Sequence, residues 1–93
     1  MIVELTDAAD ADLEAIGDYI AQDNPARALS FVQELSRSCT ELADRLEAWP
    51  IIPRYERHGV RRRVHGRYLI FYRVAEDRIV VTGFDPNRTD GKL

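Results

Sequence analysis

Cysteine, lysine and histidine are all scarce in this 93-residue chain. The single cysteine, Cys39, excludes an internal disulfide. No Cys/His spacing suits a structural zinc site, so no metal is expected. No glycine-rich loop is available to cradle a nucleotide, and no cofactor is expected. Two histidines, His58 and His65, are the side chains able to do acid–base work near neutral pH. No apolar run approaches the length that spans a bilayer, so no membrane association is expected. The opening residues Met1-Ile2-Val3-Glu4-Leu5 are too short and too soon acidic for a signal peptide. A reducing cytoplasm is the expected compartment. There is no internal repeat and no low-complexity run.

What remains is an ordinary globular composition, 45% apolar and 31% charged. The length predicts a single domain over residues 1–93, with a polar tail from about residue 85. A core this small gains from a permanent partner. The net charge of −3 hides a strong segregation. Residues 1–47 hold 11 Asp/Glu against 3 Arg, whereas residues 48–93 hold 5 against 10 Arg/Lys. Such a division points to a partner for the basic half. Of the 13 basic residues only Lys92 is lysine, and arginine is the better residue for bidentate and stacked contacts.

The periodicity gives the elements in order. Residues 2–5 read as a short strand. Thr6 is a helix N-cap, with Asp7 and Asp10 in the first turn. Ala9, Leu13, Ile16 and Ile20 form one helical face, predicting a helix from Asp7 to Gln22. Asn24-Pro25 restarts the chain as a cap followed by a proline at the first helical position. The stripe Ala28, Val32, Leu35, Cys39, Leu42, Leu46 and Trp49, widened by Phe31, predicts a second helix from Pro25 to Glu47. The short connection makes the two helices an antiparallel hairpin. A loop runs from Pro50 to Gly59. Three strands are then expected, Val60–Val64, Arg67–Val74 and Arg78–Phe84, joined by tight turns at His65-Gly66 and Glu76-Asp77. The fold class is therefore α+β, in the order β-α-α-β-β-β. The last three strands form an antiparallel meander, the first strand takes an edge, and the helices cover one face. With bulk on both its faces, the strand Arg67–Val74 is expected to be central and buried on both sides.

Several segments have a familiar form. Leu5-Thr6-Asp7-Ala8-Ala9-Asp10-Ala11-Asp12-Leu13 leads into Ile16-Gly17-Asp18-Tyr19-Ile20. Asn24-Pro25-Ala26-Arg27-Ala28, Phe31-Val32, Leu42-Ala43 and Gly66-Arg67-Tyr68-Leu69-Ile70-Phe71-Tyr72-Arg73-Val74 follow. Together, over about residues 3 to 90, they resemble the ParE branch of the RelE/ParE toxin superfamily. That resemblance implies the small α+β toxin fold and a ParD-like antitoxin as partner in a hetero-oligomer. It implies DNA gyrase as target, poisoned rather than cut, with nucleic acid engaged only indirectly. The alternative from the RelE side is a ribosome-dependent mRNA endonuclease. The tail departs from the branch: in Gly83-Phe84-Asp85-Pro86-Asn87-Arg88-Thr89-Asp90 the family's histidine is missing.

Two sets of site residues follow. For binding a partner, the candidates are Arg61, Arg63, Arg67, Arg73 and Arg88, with Trp49 as an aromatic anchor. Strand alternation puts Arg61 and Arg63 on one face, and Arg62 on the other with Val60 and Val64. For a nuclease, the candidates are His58 and His65 as acid or base, with Arg73 and Arg88 on the phosphate. In the first reading there are no catalytic residues. His65 is expected in a turn, exposed to solvent. Trp49 is expected as a lid on the core and Cys39 as core.

Overall fold

The computed structural model describes residues 2–45, 49, 51 and 59–86. Strand β1 (Ile2–Leu5) leads into helix α1 (Asp7–Ala21) and helix α2 (Pro25–Glu41). Strands β2 (Val60–His65), β3 (Tyr68–Val74) and β4 (Arg78–Pro86) complete the β-α-α-β-β-β order. The sheet order is β1-β4-β3-β2, so β1 does take an edge. It runs parallel to β4, while β2, β3 and β4 are the antiparallel meander.

The caps lie where the sequence puts them. The Thr6 side chain accepts from the Ala9 N–H at 3.1 Å, and the Asn24 side chain accepts from the Arg27 N–H at 3.0 Å. The helices approach closely at Gly17, where a Cβ would lie 3.1 Å from Val32 Cγ2. Their shared face buries Ala9, Ile16, Phe31, Leu35, Cys39 and Leu42 against Ile70, Tyr72, Ile79, Val81 and Phe84 of the sheet. Val3, Leu5, Leu13, Ile20, Tyr68 and Trp49 pack around this core, so Trp49 does act as a lid.

Five expectations need correction. Helix α2 ends at Glu41, earlier than Glu47, and tightens into a 3₁₀ turn at Leu42–Asp44. Arg45, at φ −145° and ψ 71°, has left the helical region. The turn keeps Leu42 fully buried, which preserves the apolar stripe without a regular helix; Leu46 and Glu47 lie outside the described residues.

The β2–β3 turn is Gly66-Arg67, not His65-Gly66, because His65 pairs with Tyr68. Gly66 then supplies the positive φ of +58° that a two-residue hairpin loop needs. His65 is accordingly in a strand and partly buried, not in an exposed turn.

Strand β4 continues through Asp85 and Pro86, which the sequence placed in the polar tail. Proline is tolerated there because β1 pairs with residues 78–81, leaving that side of β4 without a strand partner at Pro86 among the described residues. Finally, β3 is central but buried on one side only. Ile70 and Tyr72 are fully buried beneath the helices, whereas Leu69 and Phe71, on the other face, remain partly exposed. One helical layer covers one face.

Candidate interaction surface

The arginines of β2 separate according to the pleat. Cross-strand partners share a face, and Arg61 pairs with Tyr72 while Arg63 pairs with Ile70, both fully buried. Arg61 and Arg63 therefore point to the helix side. Arg61 donates to the Trp49 carbonyl at 2.7 Å. Arg63 donates to the Ser38 carbonyl at 2.8 Å and to Glu41 at 3.1 Å, and its guanidinium lies 4.6 Å above the Trp49 ring. Ser38 is in the last turn of α2, where carbonyls lack intrahelical partners and positive charge is favoured. Arg63 thus caps the helix while stacking on the tryptophan.

His65 belongs to the same face. Its Nδ1 shares a 2.8 Å hydrogen bond with the buried Ser38 hydroxyl. Its Nε2 is 3.7 Å from Glu34 Oε1, and its ring is 5.9 Å from that of Phe31. Glu34 is held below the usual carboxylate range, chiefly by the Arg27 hydrogen bond at 2.6 Å and secondarily by His65. Burial pushes the neighbouring Cys39 thiol up to about 12, only partly offset by the charge of Arg63. The Tyr72 hydroxyl is also pushed up by burial, against the pull of Arg61 and Arg63.

Arg73 lies on the opposite face. It pairs with Val60 and Val80, is exposed, and forms no ion pair with a described residue. Arg62 is exposed on that same face, opposite Phe71, and is equally free among the described residues. It is the residue the sequence reading left out of the partner set. Its alternation with Arg61 was visible, but which face the helices would cover was not. Arg67 stands in the turn and lines a groove of about 550 Å³ between α1 and the ends of β3 and β4. Tyr19, Tyr68 and Phe84 form its aromatic wall. The Asp12 carboxylate at its margin accepts from the Phe84 N–H at 3.0 Å, just past a β-bulge in β4. His58 and Arg88 lie outside the described residues.

The structure thus groups Trp49, Arg61, Arg63 and His65 beside α2, and places Arg73 on the far side of the sheet. Among the described residues no group of His, Cys, Asp or Glu could hold a metal ion. No described helix is long and apolar enough to cross a membrane.

The model of the ParE toxin family, from type II toxin–antitoxin systems of the parDE type, matches residues 3–90. The chain belongs to the ParE toxin family. Among solved structures it is similar to a chain of the chromosomal ParDE toxin–antitoxin system of P. aeruginosa, with 25% identity and a TM-score of 0.78. That likeness covers 92% of this chain and 95% of the other. A search of curated proteins gives no match. Membership in a ParDE system gives this ParE-family chain an antitoxin as its partner.

Proposed function

We propose that this chain is a toxin neutralised by a cognate ParD-like antitoxin, and that it inhibits DNA gyrase without itself cutting nucleic acid. The family match over residues 3–90 carries this reading. The geometry supports a binding protein. Among the described residues, Arg61 and Arg63 are held on the covered side of the sheet, while Arg62 and Arg73 are displayed on the other face. For the nuclease alternative, the described candidates do not converge: His65 faces the helices and Arg73 faces away from them. Arg67 and Arg73 are the partner contacts this reading keeps on the surface, joined by Arg62. Arg61, Arg63 and Trp49 support them from behind.

A supercoiling and cleavage assay tests the target. The protein, purified gyrase, relaxed or supercoiled plasmid and ATP should yield linear DNA covalently attached to gyrase, and the antitoxin should abolish it. Unimpaired supercoiling at large excess of the protein would remove gyrase as the target. Ribosome-dependent mRNA cleavage would then be the assay to run.

A further inference from the structure

The groove beside α1 has no role in the function proposed above. Its volume, about 550 Å³, is that of a small-molecule site. Packing sets most of its wall. Ile16 and Phe84 belong to the core. The Tyr68 ring lies 5.5 Å from that of Phe31, which the Arg27 guanidinium covers at 5.0 Å. Tyr19 differs: it is 69% exposed, and no hydrogen bond or ring contact joins it to a described residue. An exposed ring beside an apolar floor is a surface on which a flat ring can stack.

The two ends of the groove carry opposite charges. The Thr6 N–H donates to the Val81 carbonyl, and Asp12 accepts from the Phe84 N–H, so α1 and β4 run in the same direction. Asp12 therefore marks one end. Tyr19, about 10 Å further along the helix, marks the other, with Pro86 and its strand partner Tyr68. Arg67 precedes Tyr68 at that second end; it is exposed and forms no ion pair with a described residue. At the first end, Asp12 Oδ2 takes the Phe84 N–H at 3.0 Å, which fixes the carboxylate and leaves Oδ1 to accept another donor. Gly83 permits this seat, since a Cβ there would lie 3.1 Å from Oδ2. Asp85 also lines the groove, but alternation with the buried Phe84 turns its carboxylate to the open face of the sheet, away from the helices.

The complement of this groove is a flat ring with an N–H donor at one end and an anion at the other. An aliphatic side chain would fill the apolar floor but use neither the free acceptor nor the guanidinium. We propose that the groove binds a nucleoside monophosphate with an amine-bearing base, adenine or cytosine. The base stacks on Tyr19 and Tyr68 over Ile16, its exocyclic amine donates to Asp12, and the phosphate meets Arg67 at the exposed end. The site does not depend on gyrase being the target.

Calorimetric titration of the full chain with adenosine monophosphate, inosine monophosphate and adenosine tests this. Adenosine monophosphate should bind at least about tenfold tighter than adenosine, which lacks the phosphate, and than inosine monophosphate, in which a carbonyl oxygen replaces the amine. Arg67→Ala should erase the first preference and keep the second. Asp12→Asn retains an acceptor for the Phe84 N–H, and should erase the second preference and keep the first. A merely structural loss would weaken all three ligands alike. Tyr19→Ala should do that, with circular dichroism reporting that each variant folds. Absence of saturable binding of adenosine monophosphate at millimolar concentration would overturn the site. So would both preferences surviving in the folded Arg67→Ala and Asp12→Asn variants, since the nucleotide would then bind elsewhere. A short single-stranded oligonucleotide that binds tighter than the mononucleotide, and weakens in the same variants, would assign the groove to a strand end and overturn the free nucleotide as ligand. Each outcome leaves gyrase inhibition to its own assay.

Discussion

On the covered face of β2, Arg61 and Arg63 direct their N–H groups to the Trp49 and Ser38 carbonyls and to Glu41. On the open face of the same strand, Arg62 has no such partner among the described residues. Three consecutive arginines thus do two different jobs, decided only by the pleat. The covered pair closes the end of α2 and fixes the tryptophan, so its value is internal. On the open face, Arg62 and Arg73 stay exposed and without a charged partner among the described residues. Density of charge in a sequence is therefore a poor guide to a binding site until it is known which face the rest of the fold covers.

The sharpest way to break this comparison is in β3, where adjacent residues face opposite ways. Ile70 is fully buried under the helices, and Leu69 lies on the open face. Ile70→Ala should destabilise the protein by about 3–4 kcal/mol, and Leu69→Ala by only about 1 kcal/mol. Equal losses in denaturant titrations would mean that the open face is covered in the free protein.

The arginines give the next largest contrast. Arg63→Ala removes two hydrogen bonds and a stacking contact in a partly buried setting, and should cost about 2 kcal/mol. Arg62→Ala should leave the unfolding midpoint unchanged. Trp49 is the only tryptophan, so its fluorescence should shift in Arg63→Ala and not in Arg62→Ala. If both variants behave alike, the division of labour between the faces is wrong.

Much of this was legible in the sequence, and the missing part has a physical cause. The helices announced themselves through Thr6, Asn24 and the Leu35–Cys39–Leu42 stripe, and the hairpins through Gly66 and the β-prone run after it. Local rules govern such features, and local information suffices. The site was harder. Val60, Arg62 and Val64 look like an inward face with one intruding charge, yet they point outward. Arg61 and Arg63 look like a surface stripe and His65 like an exposed turn residue, yet all three turn to the covered side. The reversal comes from contacts with Ser38 and Glu41 that are more than twenty residues away in the chain. No pattern within β2 contains them. The groove beside Tyr19 and Phe84 was invisible for the same reason, since its walls come from α1 and from the far end of β4.

Cys39 tests the dryness of the covered side. Its thiol is raised to about 12 in the folded protein, whereas an unfolded cysteine loses its proton near 8.5. The folded state therefore holds the proton more tightly. Above the unfolded value the native state carries more protons than the unfolded one, so stability falls as pH rises. The contribution should be intact below about pH 8.5 and decline toward pH 12, by at most about 1.4 kcal/mol per unit. Cys39→Ala should remove that contribution, while the Tyr72 hydroxyl, also raised by burial, contributes with the same sign. Thiol reagents should label Cys39 only as the protein opens. Rapid labelling under native conditions would mean that the face beneath Arg63 is wet.

The smallest effect belongs to Ser38 and His65, and it separates a structural histidine from an idle one. Ser38→Ala deletes the 2.8 Å hydrogen bond to Nδ1. A hydrogen bond of this kind is worth about 1 kcal/mol. Alanine is also the better helix former, recovering about half of that at a position inside α2. Water can reach the partly exposed imidazole once the hydroxyl has gone, which limits the loss further. The single variant should therefore look almost neutral, and its neutrality alone would say nothing about the contact. A double-mutant cycle removes the helix-propensity contribution, because it is common to both backgrounds. With Ser38→Ala and His65→Gln, the cycle should return a coupling of about 0.5–1 kcal/mol. A coupling of zero would mean that His65 does not tie the end of β2 to α2. Among the described residues, Arg61 and Arg63 would then be the polar ties from β2 to the covered side.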